Sequence, residues 1–241
     1  MNNVKLVALR ELGAYFRAMS GYVIAGVYLL SVGILFHAFA MGDGERRSAE
    51  VLYGFFFYSS GASMICSVAL SMRLVAEEKQ TGTIVLLASS PVRDRDIILG
   101  KYLGALAFLW LLILGTLYLP LMILVNGKIS FGHLVAGYLG LMLLSGTTLA
   151  IGTFGSALGK NQVMAVIIST VLVAIMLVAW ILARVTERPF NEFFVSIALF
   201  HKHFTPFAKG VIHLRDVVYY FAVIYFALFA ATRVLEARRW R

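Results

Sequence analysis

The chain has 241 residues, 61% of them hydrophobic and only 14% charged, with 21 Lys and Arg against 12 Asp and Glu for a formal net charge of +9 at pH 7. Soluble domains carry about 25% charged residues, so this balance, with a mean hydropathy of +0.87, excludes a soluble globular domain and indicates an integral membrane protein. The basic excess forms no aromatic-interleaved stripe of the kind that binds nucleic acid, and the single cysteine, Cys66, excludes an intrachain disulfide and a cysteine-based metal site.

Within residues 1–21, Leu6, Leu9, Leu12, Phe16 and Met19 recur at three- and four-residue steps, with Lys5, Arg10 and Arg17 elsewhere around the helix. The spacing predicts an amphipathic helix in the membrane interface that turns into the bilayer at Ser20-Gly21. The first apolar run, Tyr22–Ala40, ends in Ala38-Phe39-Ala40, which matches a signal-cleavage pattern. A signal's apolar core has about 7 to 15 residues, and this run is longer and trails an amphipathic lead, so we read a retained span with His37 as an interfacial contact. A polar turn over Met41–Glu50, broken by Gly42-Asp43-Gly44, leads to a second span, Val51–Met72.

From Arg73 to Lys101 the character changes: Arg73, Glu77, Glu78, Lys79, Arg93, Asp94, Arg95, Asp96 and Lys101 flank a short apolar run, Ile84–Leu87. Charge of that density does not sit in hydrocarbon. Gly82 ends the helix leaving the membrane, Thr83 can cap a short helix to Ala88, and Ser90-Pro91 reads as an N-cap and first helical position. An apolar knob rimmed by charge marks a partner surface.

The third span is predicted over Tyr102–Val125 and the fourth over Leu134–Leu158. The fourth is rich in small residues, and Gly152, Gly155 and Gly159 suit close packing of helix backbones. Gly155-Ser-Ala-Leu-Gly159-Lys160-Asn161 approaches a phosphate-binding loop, but that motif needs four residues between the glycines and Ser or Thr after the lysine. We therefore read Gly159–Gln162 as a tight turn and exclude nucleotide binding by this chain. The fifth span, Val163–Ala183, is stopped by Glu187-Arg188-Pro189. Phe190–Phe200 is an apolar helix too short to cross, followed by breaks at Pro206 and Gly210 and by Arg215-Asp216 at a helix start. Residues 186–216 thus read as a re-entrant or interfacial segment, with Gly210, Arg215 and Asp216 as its marker residues. His201, His203 and His213 lack an evident further ligand and are expected as solvated interface residues, without a metal. The sixth span, Val217–Thr232, is short and is expected to be lengthened by Arg233 reaching to the interface.

Six spans put both termini on one face. That face and its loops hold 13 Lys and Arg against 8 on the other, which makes the termini cytoplasmic. The spans as drawn contain no Asp or Glu, which removes a simple proton relay; no catalytic constellation and no inverted pair of broken helices is evident. Work across the membrane must then be driven from outside the chain.

The wording of the charged stretch carries a resemblance. EEKQTGTIVLLASSPVRDRDIILGKYLGAL resembles the cytoplasmic coupling segment of ABC type 2 exporter permeases, with an acidic pair, TGT, a leucine pair, SPV and LGK; Glu77, Glu78, Thr81, Gly82, Thr83, Leu86, Leu87, Ser90, Pro91, Gly100 and Lys101 match. RELGAYFRAMSGYVIAGVYLL is similar to the family's elbow helix, although the family often has proline where Met19-Ser20-Gly21 stands. FAKGVIHLRDVVYYFAVIYFALFAATRVLEARRW resembles the C-terminal end of gliding-motility and nitrous-oxide-maturation type permeases, in which the position of His213 is commonly acidic. The resemblance implies an all-α integral membrane protein: six transmembrane helices, an N-terminal elbow helix, a cytoplasmic coupling helix and a short extracytoplasmic helix before the last span, forming one permease domain over residues 1–241 in the inner membrane. It further implies a separate ABC ATPase in two copies that holds the ATP and Mg, a second permease copy or related permease meeting this one along spans one, two and five, and room for an extracytoplasmic auxiliary protein. Glu77, Glu78, Gly82, Thr83, Leu86 and Leu87 would transmit ATPase motion. An alternative is a module that passes ATP-driven motion to a periplasmic partner through Thr186–Asp216 and moves no solute.

Overall fold

The computed structural model of the chain describes residues 3–41, 47–83, 92–126, 130–187 and 190–238. Every regular element among them is helical: α1 (Asn3–Arg17), α2 (Met19–Leu35, continued by a wider π-type turn over Phe36–Met41), α3 (Ser48–Ser71), α4 (Ala76–Gln80), α5 (Asp94–Gly115), α6 (Tyr118–Asn126), α7 (Phe131–Leu158), α8 (Gln162–Val185), α9 (Phe190–Ile197), α10 (Phe204–Ala208) and α11 (Leu214–Arg238). Six of the helical runs are long and apolar enough to cross a membrane, in accord with the sequence reading.

α1 divides its faces cleanly. Leu6, Leu9 and Phe16 point outward, as does Met19 just beyond, at the start of α2, whereas Val4, Val7, Ala8 and Glu11 lie against α5. The turn into the membrane sits slightly earlier than the sequence suggests: Ala18 is extended (φ −84°, ψ 135°) and α2 restarts at Met19. Gly21 makes the turn possible, because a Cβ there would overlap the Tyr15 carbonyl.

α7 is the centre of the bundle. Some 78% of its most apolar stretch is buried, against 22 to 56% for the other spans, and α3, α5, α8 and α11 all pack on it. Its glycines let them approach: a Cβ at Gly152 would overlap Ser71 Oγ, one at Gly155 would lie 2.9 Å from the Ser169 backbone nitrogen, and one at Gly159 2.8 Å from that of Ala165. Asn161 caps α8 by accepting from the Met164 N–H at 2.8 Å, so the glycine-lysine-asparagine turn is a helix start.

Two spans differ from expectation. The third is broken at Thr116-Leu117 between α5 and α6, because Pro120 can give no hydrogen bond to the Thr116 carbonyl and its ring crowds that group. The sixth helix is not short: its apolar run spans 24 residues, Leu214–Ala237, with Asp216 in its first turn.

The segment before α11 folds back alongside α8. The Leu199 N–H donates to the Met176 carbonyl at 3.2 Å, and Met176 lies nine residues inside the end of α8, about 14 Å at 1.5 Å per residue. Leu199, Phe204 and Phe207 are completely buried. The chain then climbs out at Gly210, whose φ of +83° lies in the left-handed region that favours glycine.

Candidate functional site at the face of the termini

α3 does not run straight into the charged stretch. It unwinds over Met72–Val75 and restarts as α4, and the exposed N–H groups of that restart find a partner on α7: Ser156 Oγ accepts from Val75 N at 3.1 Å and Ala76 N at 3.0 Å. In return Lys79 Nζ donates to the Ala157 carbonyl and, at 3.0 Å, to that of Gly159, neutralising the partial negative charge at the end of α7. Gln80 Oε1 accepts from Gln162 N at 3.3 Å, at the start of α8. One side of α4 is thus stitched to the α7–α8 turn.

The other side is held by ion pairs. Glu78 Oε1 lies 2.8 Å from Lys101 Nζ and 3.7 Å from the Arg10 guanidinium, and Lys101 Nζ lies 3.3 Å from Glu11 Oε2. Lys101 is 2% exposed, so its ammonium is removed from water and compensated by two carboxylates. Glu77 pairs with Arg73 at 2.9 Å; Arg73 also donates to Ser20 Oγ and lies 5.9 Å above the Tyr15 ring. Burial pushes the Tyr15 phenol well above its ordinary pKa, so that ring stays neutral. Lys101 therefore joins α1, α4 and α5 at one point. Close packing of α1 on α5 puts Glu11 there: a Cβ at Gly100 would lie 2.6 Å from Val7 Cβ, and one at Gly104 2.7 Å from the Ala8 carbonyl oxygen.

α4 ends with Gly82 at φ +74°, a left-handed C-terminal stop. Thr81, Gly82 and Thr83 are exposed, with Thr81 Oγ1 and Thr83 Oγ1 hydrogen-bonded at 2.9 Å. Leu86, Leu87, Ser90 and Pro91, and all of the short helix predicted over Thr83–Ala88 except Thr83, lie outside the described residues. Glu77 and Glu78, chosen from the sequence as transmission residues, have their carboxylates engaged within the chain. Arg10, Glu11 and Ser156 were not singled out by sequence reading, and Lys101 was matched without a role. The available signal was a lysine inside an otherwise apolar and small-residue run, Ile97 to Leu106.

On the opposite face one expectation is corrected. His203 is not solvated: it is 3% exposed, its Nδ1 lies 2.7 Å from Oδ1 of the fully buried Asp216, and its ring stacks on Tyr219 at 3.8 Å. Burial lowers the His203 pKa below its usual value, against the opposing pull of Asp216. Arg215 is 70% exposed and 3.7 Å from the same carboxylate oxygen. His201 stacks on Trp180 at 4.1 Å and His213 is exposed. Among the described residues no three His, Cys, Asp or Glu side chains converge on a metal position.

Between α2 and α3, with Leu177 of α8 and Phe200 also in its lining, lies an apolar cleft of about 860 Å³. The opposite sides of the cleft carry Val27 and Ile65, 62% and 74% exposed. No curated protein matches the chain. Residues 30–207, from the first span to the buried segment before the last, match the sequence profile of the ABC-2 family transporter proteins. The match covers most of the sequence and embraces both the central helix and the charged stretch stitched to it, so the chain belongs to the ABC-2 transporter family.

Proposed function

We propose that the chain is the permease subunit of an ABC exporter, of the gliding-motility or nitrous-oxide-maturation type, with both termini cytoplasmic in the inner membrane. Two copies of a separate ATPase bind ATP and Mg and press on the coupling segments of two permease subunits, identical or related. What carries this reading is Lys101: a lysine sealed from water and paired with Glu78 and Glu11 makes α4 move as one body with α1 and α5, while Lys79 and Ser156 tie it to α7. A push on the exposed tip at Thr81–Thr83 then reaches the elbow helix and the central span together, which suits rigid-body rocking of packed helices. The cleft between α2 and α3 is where an apolar substrate would meet the moving helices, at the seam with the second permease.

The test is purification from native membranes followed by reconstitution. The chain should bring down a nucleotide-hydrolysing subunit, and Leu86→Asp, which puts a charge into an apolar docking groove, should reduce that recovery and uncouple hydrolysis from transport. Recovery of the chain with no such subunit, or unchanged ATPase binding by the variant, would overturn the reading.

A further inference from the structure

At the face of the termini the start of α5 and the end of α11 enclose a second groove, of about 430 Å³, lined by Arg95, Leu99, Tyr225, Leu228, Phe229, Thr232, Arg233 and Glu236. Its two ends differ in chemistry. Arg95 and Arg233 stand at the outer end; Leu99, Phe229 and Tyr225 form walls that run inward along the spans. Arg233 and Tyr225 are eight residues apart on α11, about 12 Å along a helix axis, so the walls descend from the headgroup level well into hydrocarbon.

The charge at the outer end is only partly answered. Arg233 pairs through one guanidinium nitrogen with Glu236 at 2.9 Å and lies 5.0 Å over the Phe229 ring. A guanidinium has five N–H donors, so several remain. Arg95 is exposed and makes no ion pair or hydrogen bond with any described residue. Two guanidiniums with spare donors match a phosphodiester, and the walls beneath them, Tyr225 66% and Phe229 47% exposed, are shaped for a chain rather than a free ion.

We propose that this groove holds an anionic phospholipid of the leaflet on the side of the termini, its phosphate between Arg95 and Arg233 and one acyl chain along Leu99, Phe229 and Tyr225. The amphipathic depth is what selects a lipid over an acidic protein surface: a protein partner at this face would meet the arginines but not walls buried in the bilayer. Glu236 opposes the ligand's charge and sets its affinity low enough for exchange with the bulk membrane. A bound lipid would bridge α5 to α11, the two spans that begin and end at this groove.

The experiment is native mass spectrometry of the intact chain released from neutral detergent and titrated with dioleoyl phosphatidylglycerol or dioleoyl phosphatidylcholine. A basic residue at the membrane surface contributes about 1 kcal/mol toward an anionic lipid, a factor of about 5; phosphatidylglycerol should accordingly be retained about 5-fold or more over phosphatidylcholine. The preference should vanish in Arg95→Gln/Arg233→Gln and rise in Glu236→Gln. Equal retention of the two lipids, or a preference that survives the double variant, overturns the proposal. Full displacement by glycerol phosphate at equal concentration also overturns it, since the site would then bind a free anion. So does a double variant that loses its partner ATPase yet keeps phosphatidylglycerol. Where the double variant fails to fold, Glu236→Gln decides, and an unchanged preference there counts against the site.

Discussion

Lys101 and Glu78 meet at 2.8 Å across the base of the charged stretch, Glu78 on the helix leading into residues 81–93 and Lys101 on the helix leading out. Whatever docks on the intervening residues therefore acts on a closed loop with a fixed base.

Removing that closure should separate binding from coupling. Lys101→Met leaves the half-buried Glu78 and Glu11 without their shared ammonium, with Arg10 at 3.7 Å as the remaining cation beside Glu78; breaking a fully buried pair costs about 3 to 5 kcal/mol, and the loss here should be smaller. A lowered unfolding temperature is expected, with ATPase retained in pull-downs but its hydrolysis no longer stimulated by the permease. Glu78→Gln keeps an acceptor and should fall between the variant and the native chain. Full coupling in Lys101→Met would show that the pair is only structural.

Gly104→Val should push α1 off α5, because the added atoms meet the Ala8 carbonyl and Glu11 Cβ, each 2.7 Å from the first of them. Overpacking of this kind costs about 1 to 3 kcal/mol. Faster cleavage by added protease near Ala18 is the expected readout, with α7 and α8 unaffected.

Ser156→Ala removes the acceptor for two N–H groups at the start of α4. By analogy with lost helix caps the cost is about 1 kcal/mol, and faster amide exchange should be confined to residues 74–80. Exchange unchanged there would mean that α4 is held by Lys79 alone.

The His203–Asp216 contact predicts acid sensitivity in the segment before α11. The folded pKa of His203 is lowered by burial from its usual 6.5, so on acidification the unfolded segment takes up a proton before the folded one does. Stability is then full above about 6.5 and falls as pH drops below it. The protection of amides over residues 198–210, after correction for the intrinsic pH dependence of exchange, should fall as pH drops from about 7.5 to 5.5, and His203→Gln should flatten that dependence. A fall that persists in the variant would place the sensitivity elsewhere.

The spans were legible because each is a long apolar run, and the stop at Gly82 because a left-handed residue follows a helix there. Phe190–Phe200, too short to cross yet too apolar for water, pointed to a re-entrant or interfacial segment before α11, and a short helix stands there over Phe190–Ile197. What escaped were contacts between residues far apart in sequence that share no periodic signal. Lys101 looked like one more charge at a loop edge, whereas the glycines beside it bring α1 close enough to seal it. His203 looked solvated because its partner, Asp216, stands in a different element, in the first turn of α11.

Residues 198–208 fold back against α8 on one face of the bundle, whereas on the face of the termini α1 turns Leu6, Leu9 and Phe16 outward. The two faces are thus built from different elements. A helix with such an outward apolar face lies in a membrane interface, so any tilt of α1 would have to move lipid on that face alone, and the bilayer would become part of the load against which the helices move.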